Sequence, residues 1–284
     1  MTSRARSLRR ALAAAAAVAG LAACGPGAGE EHDGEAHVEP VHVHGLALVD
    51  GALLIATHNG LFRLEPDAQR AEVVGDTRHD LMGFTALAPD RFLASGHPDL
   101  GDHDLPPHLG LIESRDGGET WQSVSLLGQA DFHVLRAAGD RVYGFDATHG
   151  RLLASGDGGR SWSDAASPGA VVDLAIDPAD PEHLLASAED GLHESRDGAR
   201  TWERVGDGVG LLAWPEGGPP QLVAGDGAVS RLSAGGWRRV GSVGGHPAAF
   251  TAAGPRELVV ALHDGAIVAS SDGGAAWTTR LGAR

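Results

Sequence analysis

Ser114-Arg115-Asp116-Gly117-Gly118-Glu119-Thr120-Trp121 recurs three more times along the chain. The copies are Ser155-Gly156-Asp157-Gly158-Gly159-Arg160-Ser161-Trp162, Ser195-Arg196-Asp197-Gly198-Ala199-Arg200-Thr201-Trp202 and Ser270-Ser271-Asp272-Gly273-Gly274-Ala275-Ala276-Trp277. Their starts lie 41, 40 and 75 residues apart, and the long gap holds a decayed copy, from Ser230 to Trp237, that lacks the Asp. One turn motif repeated every forty residues or so marks a chain built from a single supersecondary unit. A unit without the octapeptide comes first: Asn59-Gly60-Leu61-Phe62-Arg63-Leu64 stands where Leu109-Gly110-Leu111-Ile112-Glu113-Ser114 stands in the second. Residues 41–284 therefore divide into six units.

Each unit reads as four short apolar or alternating strands between turn residues; in the fourth they are 171–176, 183–188, 192–196 and 202–205. Six four-stranded units with a turn at a fixed place predict an all-β chain folded as a single β-propeller of six blades. In the recurring turn the Asp carboxylate accepts backbone N–H bonds, Gly supplies the left-handed backbone angle, and the Trp lays its rings on the blade. Asp116, Asp157, Asp197 and Asp272, with Trp121, Trp162, Trp202 and Trp277, are accordingly structural, and Ala199, where other copies have Gly, implies an altered turn.

These octapeptides resemble the Asp-box, or BNR, repeat of sialidases, sortilin-type receptors, photosystem II assembly factors and some glucanases. The resemblance covers most of residues 41–284 and implies the propeller, but it does not imply one reaction. The chain is also similar to a group of bacterial lipoproteins often labelled glycosylhydrolase, through Val43-His44-Gly45-Leu46, Asp80-Leu81-Met82-Gly83-Phe84, Ser95-Gly96-His97-Pro98 and Asp131-Phe132-His133.

Residues 1–23 read as a signal peptide: four Arg and no acid, then an apolar run too short to span a bilayer. It ends Leu21-Ala22-Ala23-Cys24, which resembles a bacterial lipobox; that likeness implies cleavage before Cys24, the one cysteine of the chain, and a lipid on its sulfur. Residues 24–40, with almost nothing to bury, form a tether carrying His32 and His37. The expected location is extracytoplasmic, anchored to the membrane through Cys24. Without the leader, 18 basic residues face 38 acidic ones, a net charge of −20 that argues against nucleic acid and anionic lipid as partners.

The 15 histidines are unevenly spread. His42, His44, His79, His133 and His246 precede or open first strands, while His58, His97, His103, His108, His149 and His263 follow second strands. In a propeller both loop classes open on one face, opposite the boxes. Only His183 falls on the box face. Eight histidines, His42, His44, His58, His79, His97, His133, His149 and His263, are candidate metal ligands. Asp80, Asp99, Asp131, Asp190 and Asp264 share their loops as candidate ligand-binding carboxylates. His42 and His44, two apart on an expected strand, would point the same way. Imidazole with carboxylate suits Zn, Cu or Ni, with affinity favouring Cu. The second unit adds a long insertion on that face, residues 96–108.

The sialidase likeness implies an arginine cluster, a tyrosine nucleophile and a glutamate partner. Tyr143 is the single tyrosine and lies inside a second strand, and only Arg78 sits clearly in a loop of that face. Other glycosidase chemistry needs just two carboxylates, which the face supplies; the glucanases of similar motif work between two propellers, whereas this chain has one. The leading expectation is a non-catalytic binding protein holding a transition metal (Cu or Zn) or a small polar ligand. A glycoside hydrolase acting on a glycan and a scaffold for another protein are the alternatives.

Overall fold

The computed structural model describes residues 40 and 42–283. The expected leader, Cys24 and all of the tether except Pro40 lie outside the described residues.

Six antiparallel four-stranded sheets follow one another along the chain, each in the order first-second-third-fourth. Blade one is β1 (Val43–Val49), β2 (Ala52–Thr57), β3 (Gly60–Leu64) and β4 (Glu72–Val73). Blade two is β5 (Asp80–Ala88), β6 (Arg91–His97), β7 (Leu111–Ser114) and β8 (Gln122–Ser125). Blade three is β9 (Phe132–Ala138), β10 (Arg141–Asp146), β11 (Arg151–Ser155) and β12 (Ser163–Ala165). Blade four is β13 (Val171–Asp177), β14 (Asp180–Ala188), β15 (Gly191–Ser195) and β16 (Glu203–Gly206). Blade five is β17 (Gly210–Ala213), β18 (Gln221–Ala224), β19 (Ala228–Ser233) and β20 (Gly236–Ser242). Blade six is β21 (Pro247–Ala252), β22 (Leu258–Leu262), β23 (Ile267–Ser270) and β24 (Thr278–Leu281). The protein is a six-bladed β-propeller, as its repeats predict.

The core lies at the seams. Leu54, Leu61, Phe84 and Phe92 pack between blades one and two, and Leu93, Leu111, Phe132 and Val142 between blades two and three. The ring closes without strand exchange: Leu53, Ile55 and Phe62 of blade one meet Val259, Ala261 and Ile267 of blade six. Arg280 of β24 adds hydrogen bonds to the carbonyls of Glu65 and Pro66. Burying each large apolar side chain contributes about 1.5–3 kcal/mol. Completely buried Asp173 joins three blades, accepting from Arg136 at 2.5 Å and from the backbone N–H groups of Leu174 and Leu212, each at 2.8 Å. Burial pushes its carboxyl up, against the opposing charge of Arg136.

The boxes are saturated turns. In the second, Asp157 Oδ1 accepts from Ser155 Oγ and the N–H groups of Arg160 and Ser161, and its Oδ2 accepts from Ser161 Oγ. Ser155 Oγ in turn accepts from Gly159 N–H. Each box also donates a backbone N–H to the segment joining the first and second strands of its own blade, for example Gly158 to Asp140 at 2.9 Å, or in blade four to Glu182 near the start of the second strand, which fixes the box face. Ala199 occupies the left-handed region, φ 65°, and is fully buried. The Trp rings are half-buried and reach across seams: Trp162 donates to Ser125 Oγ of blade two, and Trp202 to the carbonyl of Ala166 beyond β12. Where the box has decayed in blade five, Ser233 and Gly236 close a tight hairpin.

Candidate functional site

Five of the six first strands carry a β-bulge near their start. The extra residue is His44 in β1, Met82 in β5, His133 in β9, Val172 in β13 and Ala248 in β21. A bulge re-aims its side chain, and all five residues line the axial cavity of about 780 Å³. His42 and His44 are therefore not a pair on one strand. His42 precedes β1 with φ 52° and is exposed, its ring edge-on to His58 with centroids 6.1 Å apart, while His44 is the bulge.

A continuous chain of imidazoles and carboxylates crosses blades one to three. Asp80 Oδ2 lies 2.9 Å from His58 Nδ1 and 3.4 Å from His97 Nδ1, and Asp80 Oδ1 lies 3.4 Å from His44 Nε2. The other nitrogen of His97, Nε2, lies 3.4 Å from Asp131 Oδ2. That oxygen also meets His133 Nε2 at 2.9 Å and His108 Nδ1 at 3.9 Å. Asp146, fully buried at the end of β10, continues the chain. It accepts from Asp131 N–H and pairs with His149 Nδ1 at 2.7 Å and Arg151 Nε at 3.2 Å.

Two groups within this chain could hold a metal ion: His44, His58 and Asp80, and His97, His108 and Asp131, the ligand atoms of each lying within 4.8 Å of one another. Donors arranged tetrahedrally around an ion at about 2.1 Å stand about 3.4 Å apart, so either group would have to contract to close on one. Of the five buried side-chain polar atoms without a hydrogen-bond partner among the described residues, four belong here: His44 Nε2, Asp80 Oδ1, His108 Nδ1 and Asp131 Oδ1. His44 Nε2 and Asp80 Oδ1 are in ion-pair contact but too poorly aligned to hydrogen-bond.

The site is electrostatically tuned. Burial works to raise the carboxyls of Asp80 and Asp131, but their imidazole neighbours win and hold both below the ordinary carboxylate range. The hydrogen bond that His133 donates to the Asp131 carboxylate outweighs burial and raises the imidazole. The backbone is close-fitted: a Cβ on Gly96, φ +141°, would stand 1.9 Å from the Asp80 carbonyl.

The remaining candidates lie apart from these groups. His79 is buried and its Nδ1 accepts from Asp99 N–H at 3.1 Å, tying the insertion down; burial lowers its pKa. Asp99 itself caps Gly101 N–H, and Asp264 caps Ala266 N–H. Asp190 pairs with His193 at 2.8 Å, and the exposed His263 joins neither group. The predicted bowl is thus a sector over blades one to three. His108 and Asp146 were absent from the candidate ligands and carboxylates, although His108 stood on the right face. Met82 was also missed; its only sequence signal was its alignment with His44 and His133 after Val43, Leu81 and Phe132.

No protein-family model matches the chain, and no curated protein does. Solved propellers do. The GH74 enzyme of Niastella koreensis superimposes with TM-score 0.62 at 14% identity, over 86% of this chain and 46% of its own. The GH74 xyloglucanase from Xanthomonas campestris gives 0.56 at 18%, over 85% and 45%. A structure of YCF48 bound to D1 peptide gives 0.53 at 14%, over 85% and 82%. The chain spans about half the length of the GH74 enzymes, 46% and 45%. At these identities the likeness is one of fold.

Proposed function

We propose that this protein is a non-catalytic binding protein, anchored outside the cytoplasm by a lipid on Cys24, whose His/Asp sector holds a transition metal, copper or zinc. The observation that carries the reading is the set of four buried atoms without a well-formed hydrogen bond, two imidazole nitrogens and two carboxylate oxygens, held together in one sector by ion-pair contacts of 3.4–3.9 Å. Leaving such an atom unsatisfied costs about 1–3 kcal/mol, a cost that a bound cation relieves. Three lone-pair donors in each group, nitrogen and oxygen only, form a ligand set suited to Zn or Cu(II).

The glycosidase alternative fits less well. A general acid must be protonated near neutral pH, yet the carboxyls of Asp80, Asp131 and Asp146 are all held down. Tyr143 is fully buried and donates to the Pro181 carbonyl at 3.0 Å, which removes the one tyrosine from the sialidase scheme. The scaffold alternative draws support from the YCF48 structure, which carries a bound peptide and is matched over 82% of its length.

The test is metal content. Full-length chain purified in detergent without chelator, then stripped and titrated with Cu(II) or Zn(II), should bind stoichiometrically, and a His44→Ala/His108→Ala variant should bind far more weakly. Equal binding by both proteins, or by neither, overturns the reading. Retention of a protein partner by the same variant in pull-downs would favour the scaffold.

A further inference from the structure

We infer that the sector holds two cations, one at each of two neighbouring blade seams, and that His97 couples them; this rests on the metal-binding reading above. The strand register shows the site to be duplicated by the repeat itself. In blade one Val43 pairs with Thr57 just before the His44 bulge; in blade two Leu81 pairs with Gly96 just before Met82; in blade three Phe132 pairs with Asp146 just before His133. Asp80 and Asp131 each stand one residue before those first-strand positions, so they are equivalent residues of successive blades. His58 and His97 each stand one residue after Thr57 and Gly96, so they too are equivalent.

The same couple therefore forms twice. The imidazole following one blade's second strand faces the carboxylate opening the next blade's first strand: His58 with Asp80 at 2.9 Å, and His97 with Asp131 at 3.4 Å. Each couple has its own third donor with an unpartnered buried nitrogen, the bulge residue His44 at the first seam and the insertion residue His108 at the second. Both carboxylates are largely buried, with the side chains of Asp80 and Asp131 12% and 7% exposed, and each retains one oxygen without a hydrogen bond. The two groups share no residue, so neither must be dismantled to complete the other.

His97 alone belongs to both seams. Its Nδ1 and Nε2 each lie 3.4 Å from a carboxylate, of Asp80 and Asp131 respectively. A neutral imidazole has one N–H to donate and one lone pair, so within this pair of contacts one carboxylate always faces the lone pair. A cation on that nitrogen removes the repulsion. With cations at both seams the ring bridges them as imidazolate, its N–H proton released to solvent as the second cation binds, at a separation of roughly 6 Å for metal–nitrogen bonds of about 2.0 Å.

The experiment is Cu(II) titration of the stripped full-length chain, with stoichiometry by elemental analysis and the spin state by electron paramagnetic resonance. Two equivalents per chain and a spin-coupled spectrum are expected. His44→Ala/His58→Ala and His97→Ala/His108→Ala should each retain one equivalent with an uncoupled signal. Circular dichroism on every variant, and His97→Gln as a milder change that should also lose the coupling, separate ligand loss from misfolding. One equivalent in the unmodified chain, abolished by either double substitution, overturns the two-cation inference and leaves the metal-binding reading standing. Two uncoupled equivalents overturn the role of His97. No binding at all removes the underlying reading.

Discussion

Metal loading of the His97/His108/Asp131 group should stabilise the propeller, and an Asp131→Asn substitution should erase most of the gain from that group while leaving the gain from His44/His58/Asp80 in place. A ligand that binds only the native state adds RT ln(1 + [L]/Kd), about 2.7 kcal/mol at one hundred times Kd. The native site exists only when blades one, two and three are docked, because its groups come from all three; an unfolded chain has no equivalent. For a domain of this size each kcal/mol moves the melting temperature by about 2–4 °C, so loading that group should raise it by about 5–11 °C. Asp131 supplies one of three donors in its group and contacts His97, His108 and His133. If the substitution weakens binding about 100-fold, the upper end for loss of an outer-shell partner and so a modest figure for a direct donor, the same metal concentration falls to Kd and the gain from that group shrinks to about 0.4 kcal/mol, or about 1–2 °C. Differential scanning calorimetry of the full-length chain, stripped and with Cu(II) or Zn(II), measures both shifts. A variant that keeps the unmodified chain's shift would refute the assignment of Asp131, and no shift in either protein would refute the site.

Three other outcomes are expected. The Asp197 carboxyl is lowered to about 2 by the Thr201 hydroxyl and backbone N–H, against an ordinary value of about 3.9; its contribution to stability is present above about pH 4 and lost as pH falls through about 2, so an Asp197→Asn variant should show a shallower fall of melting temperature across that window, and an unchanged slope would contradict the box as an acid-labile turn. Phe132→Ala, at a fully buried seam residue between Asp131 and His133, should cost about 3–5 kcal/mol in urea unfolding, and a loss under about 1 kcal/mol would mean the seam is not where the fold is held. Cys24→Ser should move the protein from the membrane fraction to the soluble one and abolish labelling by a radioactive fatty acid; continued membrane retention would reject the lipid anchor.

The octapeptide made the architecture legible because one local turn, needing a specific acceptor, a left-handed angle and an aromatic lid, has few structural uses. Ser114, Asp116 and Gly118 carry the same message in any context, since their hydrogen bonds close within five residues. The sector was legible only to the level of its loops. Counting positions along a strand assumes an unbroken period of two, and the bulge at His44 breaks that period, which is why the expected His42/His44 pair does not form. His108 sits in an insertion without a repeat to register it, so its approach to Asp131 depends on how His79 and Gly96 anchor that loop. Asp146 looks like one more strand terminus until Asp131 N–H is seen to donate to it from the neighbouring first-strand segment. The confinement of the site to three blades was equally hidden: His263 and His246 occupy the same repeat positions in blade six as His58 and His42 do in blade one, but the next blade there offers His42, not a carboxylate.

Hydrogen-bond saturation separates the two kinds of aspartate that this repeat produces. Asp197 in its box accepts four hydrogen bonds from Ser195, Arg200 and Thr201, and buried Asp173 spends its oxygens on Arg136, Leu174 and Leu212. In both, each oxygen is engaged by at least one hydrogen bond, and both read as structure. Asp80 and Asp131 are also buried, yet each leaves one oxygen without a hydrogen bond while facing imidazoles whose own nitrogens are incompletely used. A fold gains nothing from burying an acceptor and leaving it unpaired. The same propeller gives its box carboxylates three hydrogen bonds, as at Asp116, or four, as at Asp157, from Ser or Thr hydroxyls and backbone N–H groups, and so had the means to satisfy these two in the same way. That difference in saturation, box and structural aspartates filled and these two not, is the physical ground on which the proposed cation rests.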